Sequence, residues 1–455
     1  MLTFDVRIYK IDHRPERPKP FRVRWKVGAK PHSKTYKLSA QADGRRSELM
    51  TALREGQQFD EDSGLPASEW KALQQPTWFE HAQAHARMKW PQSSAKSRAA
   101  RADALATITP ALVTDRQGAP KAKVLRTALS CWAFNASGRL PEQPAEIQEA
   151  LAWIAVKSVR LPALNDSDTI RKALNALSVK LDGKRAADNT IRRKRMVFNN
   201  ALQYAVERRL LDANPLQFVD WSPPDTDDEI DWRWVPDPQQ GRALINAVGQ
   251  VSDRGRHLKA FFGCILYAAT RPAEATDLSL ASCTLPEQGW GVLLLAGSSP
   301  RAGVMWTDDG QTHDVRGLKR RARKSTREVP IPPVLVQLLR EHIEEFGVAP
   351  DGRLFRASEG GRLLPNEYAA VWKAARVLAL TPAEVASPLA EVPYSGRHTC
   401  VSGWLRAGVD PTEVARRAGH SVAVLFRFYA KIINRRQDHA NQMIERFLDG
   451  SEQQE

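Results

Sequence analysis

Seven residues, Pro223-Pro224-Asp225-Thr226-Asp227-Asp228-Glu229, divide this chain in two. Two prolines break helix and ladder hydrogen bonding, and the carboxylates that follow repel one another, so the stretch reads as a linker. At 455 residues the chain exceeds what one hydrophobic core supports, and two or three domains are expected. The expected class is mainly α with small β elements, in several domains. A small N-terminal β-sheet plus helix module should span 1–60, a helical domain 76–216, and a mixed α/β domain 235–450.

The formal net charge is +15. Clustered Lys and Arg displace counterions from nucleic acid, so a polyanionic partner is implied. The acidic linker disfavours contact with such a partner. Four cysteines, Cys131, Cys264, Cys283 and Cys400, are widely spread without a C-x-x-C pair. This argues against a zinc finger and against a disulfide framework. No apolar run reaches membrane-spanning length, and the N-terminus lacks a signal-peptide pattern. A soluble, cytoplasmic protein without membrane contact is expected.

In the first 60 residues, Phe4–Ile11, Phe21–Val27 and Lys34–Leu38 read as strands, and Asp43–Glu55 as a helix. Arg22, Arg24 and Lys26 share one strand face at period two, a cationic surface suited to phosphates. Residues 56–75 read as a linker. Helices are expected near Ala122–Asn135, Pro144–Ser158 and Asp166–Lys180. In Asn189–Phe198, Ile191 and Phe198 can face a core while Arg192, Arg193 and Arg195 face out, again as phosphate contacts.

Beyond the linker, Leu258–Tyr267 is an apolar helix, followed by Thr270-Arg271-Pro272-Ala273-Glu274 with Pro272 placed to open the next helix. Glu274 shares a helical face with Arg271 and can orient a catalytic group or pair with it. Trp290–Leu295 and Arg327–Pro332 read as strands, with the basic run Arg316–Arg327 between them. Further on come Tyr394-Ser395-Gly396-Arg397-His398, then Gly419-His420, then Tyr429 in an apolar run. Two arginines could hold phosphate oxygens in bidentate fashion, a tyrosine could attack, and an imidazole could donate a hydrogen bond or move a proton. His398 adjoins Arg397, but neighbours on a helix point about 100° apart, so it reads as structural. A last helix is expected from Arg435 to Leu448.

This order and spacing resemble the tyrosine recombinase (phage integrase) family, and within it the integrases of actinobacterial mobile elements. The resemblance covers roughly 240–450 with strong motifs and continues weakly upstream. It implies Tyr429 as nucleophile, Arg271 and Arg397 as phosphate ligands, and His420 as hydrogen-bond donor or proton shuttle. It places a general-acid lysine on the basic hairpin, where Lys319 is favoured over Lys324, with Arg321 and Arg323 as DNA contacts. Tyr394 stands where most members have His. A phenol, with a reference pKa of about 10, is a poor proton acceptor at neutral pH but can donate to a phosphate oxygen.

The implied reaction is DNA cleavage and rejoining through a 3′-phosphotyrosyl link that integrates or excises a mobile element. The link conserves the bond energy, so no cofactor and no metal are required, and the sequence has no G-x-x-x-x-G-K-[ST] loop. Implied partners are double-stranded DNA, a homo-tetramer on two duplexes, and an excisionase or bending protein. The N-terminal module would bind arm-type sites, the helical domain would clamp the duplex as a core-binding domain, and the linker would be the hinge of the clamp. The alternatives are a type IB-like topoisomerase and a catalytically inactive, sequence-specific DNA-binding regulator.

Overall fold

The computed structural model describes residues 1–224, 230–317, 325–434, 441 and 444–445. The chain forms two compact units, Met1–Asp225 and Thr226–Glu455. The architecture is mainly helical with several small sheets. No described helix is long and apolar enough to cross a membrane.

The first unit begins with an antiparallel sheet. Phe21–Val27 pairs on one edge with Val6–Ile8 and Asp12–His13, and on the other with Lys30–Tyr36. Gly28, at φ 53°, and Ala29 form the two-residue turn that fixes the Val27–Lys30 pairing. The third strand therefore starts four residues earlier than its alternation suggests. Val23, Trp25 and Val27 point inward against Ala42, Leu49 and Ala52 of the helix Ser39–Arg54.

Residues 56–75 are more than a linker. Phe59–Asp60 pairs with Leu2–Thr3, Phe59 is fully buried, and Ala67–Gln74 is helical. Helices Trp78–Lys89, Ala95–Ile108, Ser167–Leu177 and Asp188–Glu207 follow among others. A capping box between Thr77 and Glu80 opens the first of these, satisfying N–H groups that the helix leaves unpaired. Trp78 meets Phe198 edge to face at 5.4 Å in their shared core.

The second unit is built around the helix Asp253–Ala268. Ser252 caps it, and Leu258, Phe261, Phe262, Ile265 and Leu266 are buried on several sides. A helix apolar all round must be enclosed. Pro238–Val251, Pro333–Phe346, Pro365–Ala379 and Ser395–Arg406 surround it. An antiparallel sheet runs in the order Arg327–Ile331, Gly291–Leu295, Cys283–Thr284. Its inward residues Leu293, Leu295, Val329 and Ile331 join the same core. Pro330 is tolerated because its strand lies at the sheet edge. Helices Pro411–Ala418 and Val422–Asn434 pack beside Ser395–Arg406. The helix expected over 435–448 falls largely outside the described residues.

Candidate active site

Three helix ends meet in the second unit. The central helix stops at Ala269, whose φ of 49° is left-handed. This conformation costs a non-glycine residue about 1–2 kcal/mol. It turns the chain so that Arg271 and Pro272 open the short helix Pro272–Ala275. The helix Pro411–Ala418, capped by Asp410, ends at Gly419 with φ 65°. Glycine is required there twice over: a Cβ would strain the backbone and would collide with Arg327 Nη1. Arg397 lies in the first turn of Ser395–Arg406, beside Ile265 and Leu266 of the central helix.

The carbonyl groups at these ends hold the arginines. Arg271 Nη2 donates to Gly419 O at 3.0 Å and Arg327 Nη1 to Ala418 O at 3.1 Å. Arg397 donates to Ala418 O and to Ala269 O. The last carbonyls of a helix lack internal partners and carry partial negative charge, so guanidiniums suit them. Glu274 bridges two of the arginines, with Oε1 2.8 Å from Arg271 Nη1 and Oε2 2.7 Å from Arg327 Nη2. It also accepts from the Arg271 backbone N–H at 2.9 Å.

Burial would raise the Glu274 pKa, but the charges of Arg327 and Arg271 outweigh it and the net shift is downward. Burial brings Arg327 down to about 10, so it remains protonated at neutral pH. Arg397 is fully buried, and the acceptors found for it are neutral. Among the described residues the cluster thus holds three guanidiniums to one carboxylate. Buried charge without a counter-charge is costly, so the site is built for an anion. Arg271, with a quarter of its side chain exposed, is the guanidinium of the three that reaches solvent.

His420 follows Gly419, and its Nε2 lies 2.8 Å from Arg397 Nη2. Arginine can only donate, so Nε2 accepts and the neutral ring carries its proton on Nδ1. That Nδ1 has no partner among the described residues. Burial and the neighbouring arginines lower the His420 pKa to about 3. The ring is therefore a neutral donor with its N–H unused.

Tyr429 sits on the helix Val422–Asn434, buried with Leu425 one turn earlier. Trp232 meets its ring edge to face at 6.2 Å. Its hydroxyl is 2.8 Å from His398 Nδ1, and burial raises its pKa. Tyr429, His420, His398 and Tyr394 line one cavity of about 440 Å³, closed further by Trp234 and Phe428. Tyr394 lies edge-on to His398 at 5.2 Å and beneath the Arg397 guanidinium at 5.9 Å.

The structure thus brings Arg271, Arg397 and His420 into one cluster, and Tyr429 and Tyr394 into the cavity that His420 lines. Lys319, Arg321, Arg323 and Lys324 lie outside the described residues. Arg22, Arg24 and Lys26 lie on the face of their strand opposite the buried Val23, Trp25 and Val27. Arg24 and Arg7 both stand over the exposed Tyr9 ring. Arg192 and Arg193 are exposed, whereas Arg195 is partly buried against the Trp221 ring at 5.4 Å. Lys194 turns inward to Asp103 at 3.1 Å and Thr107 at 2.8 Å, so the basic run is not uniformly outward.

Two residues of the site escaped the sequence reading. Arg327 passed as one cation among many, although it shares the inward face of its strand with Val329 and Ile331. His398 was set aside because it faces away from Arg397. It does face away, and that turns it onto Tyr429.

No family model matches the chain, and no curated protein matches it either. Among solved structures it is similar to a Tn1549 transposon integrase in complex with a circular intermediate DNA. The TM-score is 0.47 at 15% identity, covering 64% of this chain and 91% of that one. It is also similar to the XerH site-specific recombinase bound to palindromic difH substrate, at TM-score 0.46 and 13% identity, covering 80% and 94%. The catalytic domain of bacteriophage HP1 integrase aligns at TM-score 0.28 and 15% identity, covering 47% and 94%. Likenesses this loose carry no functional argument, and what the site can do follows from its own side chains.

Proposed function

We propose that this chain is a tyrosine-type site-specific DNA recombinase, cutting and rejoining duplex DNA through a 3′-phosphotyrosyl intermediate. The observation that carries this reading is the buried arginine surplus beside His420, whose unused N–H lines the same cavity as Tyr429. A phosphodiester carries one negative charge and gains a second as a nucleophile adds to phosphorus. Preorganised donors that match this developing charge lower the barrier, and they are the largest single contribution in many enzymes. Arg271 and Arg397 stabilise the non-bridging oxygens, and His420 donates from Nδ1 to one of them. Tyr394 supports Arg397 through its ring face. Tyr429 attacks phosphorus and releases a 5′ hydroxyl, and Lys319 supplies the proton to that leaving oxygen. A second 5′ hydroxyl then displaces the phenol and joins new strands.

The remaining assignments follow from this one. Arg22, Arg24 and Lys26 form an arm-site contact, Arg192, Arg193 and Arg195 grip the core site, and Arg321 and Arg323 contact phosphates near the hairpin. Four protomers act on two duplexes, an excisionase or bending protein sets direction, and the protein works in the cytoplasm, where its DNA is.

The test has two stages. Recombined junctions recovered from cells and sequenced give the target. A duplex of that sequence, nicked beside the cleavage position, then traps the covalent adduct. Wild type should accumulate adduct and Tyr429→Phe none. Binding without adduct in both would leave the inactive-regulator reading standing instead.

A further inference from the structure

The phosphate side of the site is well supplied with donors, but the nucleophile must also lose a proton. His420 cannot take it, because the Arg397 guanidinium occupies the Nε2 lone pair and Nδ1 already carries hydrogen. Tyr394 is a phenol like the nucleophile itself. Glu274 is engaged by Arg271 and Arg327. Among the described residues the hydrogen-bond partner of the phenol oxygen is His398, with Nδ1 at 2.8 Å and ring centroids 6.1 Å apart.

One step along the helix Ser395–Arg406 separates it from Arg397. The resulting turn of about 100° points one side chain at the guanidinium cluster and the next at Tyr429. Two imidazoles therefore line one cavity: His420 donates from Nδ1, and His398, in the tautomer that carries its proton on Nε2, accepts from the Tyr429 hydroxyl at Nδ1.

We propose that His398 is a catalytic residue that takes the proton from Tyr429 during strand cleavage and returns it during rejoining. This rests on the reading of Tyr429 as nucleophile. As the Oη–P bond forms, the Oη–H bond breaks and its proton passes to His398 Nδ1, leaving imidazolium. The P–O5′ bond breaks with its electron pair on O5′, which takes a proton from the general acid. In rejoining, the incoming 5′ hydroxyl gives up its proton to the base that the general acid has become. The P–Oη bond breaks, and the imidazolium returns its proton to the phenol oxygen. Charge and protons balance over the cycle, and no outside reagent enters. Burial and the Arg397 charge hold the His398 pKa down to about 4 in the free protein, so the ring is neutral and ready to accept. A phosphodiester held by Arg397 would offset that charge and strengthen the base where it is needed.

Single-turnover adduct formation on the nicked duplex tests this, using a scissile phosphate that carries either oxygen or sulfur at the bridging 5′ position. A thiolate leaves without a general acid. His398→Ala and His398→Asn should slow adduct formation by about 100-fold or more, with oxygen and with sulfur, while duplex affinity and Tm stay near wild type. Lys319→Ala should be slow with oxygen and restored by sulfur. Asn places an amide where Nδ1 stands, so it can hold the hydroxyl but cannot take its proton. A wild-type rate in His398→Asn would reduce His398 to a positioning residue and overturn the proposal. Restoration of the His398 variants by sulfur would also overturn it, because the ring would then serve the leaving group. If wild type forms no adduct at all, the nucleophile reading fails first and this proposal falls with it.

Discussion

Replacing Glu274 by Gln changes one atom of a buried side chain and removes the only carboxylate of the described arginine cluster. The native carboxylate accepts three hydrogen bonds, from Arg327 at 2.7 Å, Arg271 Nη1 at 2.8 Å and the Arg271 N–H at 2.9 Å. Hydrogen bonds to charged groups contribute about 1.5–3 kcal/mol each. A glutamine keeps one oxygen, and its NH2 must face a guanidinium either way, that of Arg271 at the Oε1 position or that of Arg327, with the Arg271 N–H, at the Oε2 position, donor against donor. Leaving a buried charge without its partner typically costs about 3–5 kcal/mol. For a unit of this size that is a fall in Tm of roughly 6–20 °C. Thermal unfolding followed by circular dichroism, with and without inorganic phosphate, measures it. Phosphate should recover more stability in Glu274→Gln than in wild type, because the variant has a larger positive excess to neutralise. A loss below about 1 kcal/mol, or equal phosphate effects on both proteins, would refute the claim that Glu274 is the counter-charge of Arg271 and Arg327.

Other outcomes are equally open to measurement. Gly419→Ala should lower stability by more than the roughly 1–2 kcal/mol of a left-handed alanine, because its methyl also displaces Arg327; a loss within that range would show that Arg327 moves freely. His398 and His420 titrate near 4 and 3 rather than at the usual histidine value, held down by burial first and by Arg397 next. Their folded pKa values lie below the unfolded ones, so the stability they hold is complete above about pH 6.5 and is lost as pH falls towards 4, at about 1.4 kcal/mol per pH unit for each ring. Denaturant titrations of wild type and His398→Asn should therefore agree above about pH 6.5 and part as pH falls towards 4, with the variant keeping stability that wild type loses. If the proposed contact holds, replacing Arg22, Arg24 and Lys26 together by Ala should make the salt dependence of DNA binding shallower by up to about 2.7 in log–log slope. An unchanged slope in a filter-binding titration would remove that strand face from the interface.

Much of this fold was legible because periodicity reports burial directly. The apolar run Leu258–Tyr267 became the enclosed helix Asp253–Ala268, and the alternation of Phe21–Val27 gave both its buried and its basic face. Residues 56–75 misled because Gly, Asp, Ser and Pro outweighed a single Phe59, whose burial against the first sheet depends on distant partners. The site divides in the same way. Arg271, Arg397, His420 and Tyr429 carry spacing that marks them. Arg327 and His398 act through contacts reaching 91 and 31 residues along the chain, to Ala418 and Tyr429. A warning sign existed for Arg327: at period two it falls on the same face as the apolar Val329 and Ile331, and a guanidinium turned inward needs buried acceptors.

Ala269, Ala418 and Gly419 reach the arginines through peptide oxygens and not through side chains. No point substitution deletes a main-chain carbonyl. The centre can therefore absorb drift in the residues around it, and what it cannot absorb is a change in where a helix stops. An insertion or deletion of a single residue before position 269 or 419 would rotate the anchoring oxygens away while leaving Arg271, Arg397, His420 and Tyr429 all in the sequence.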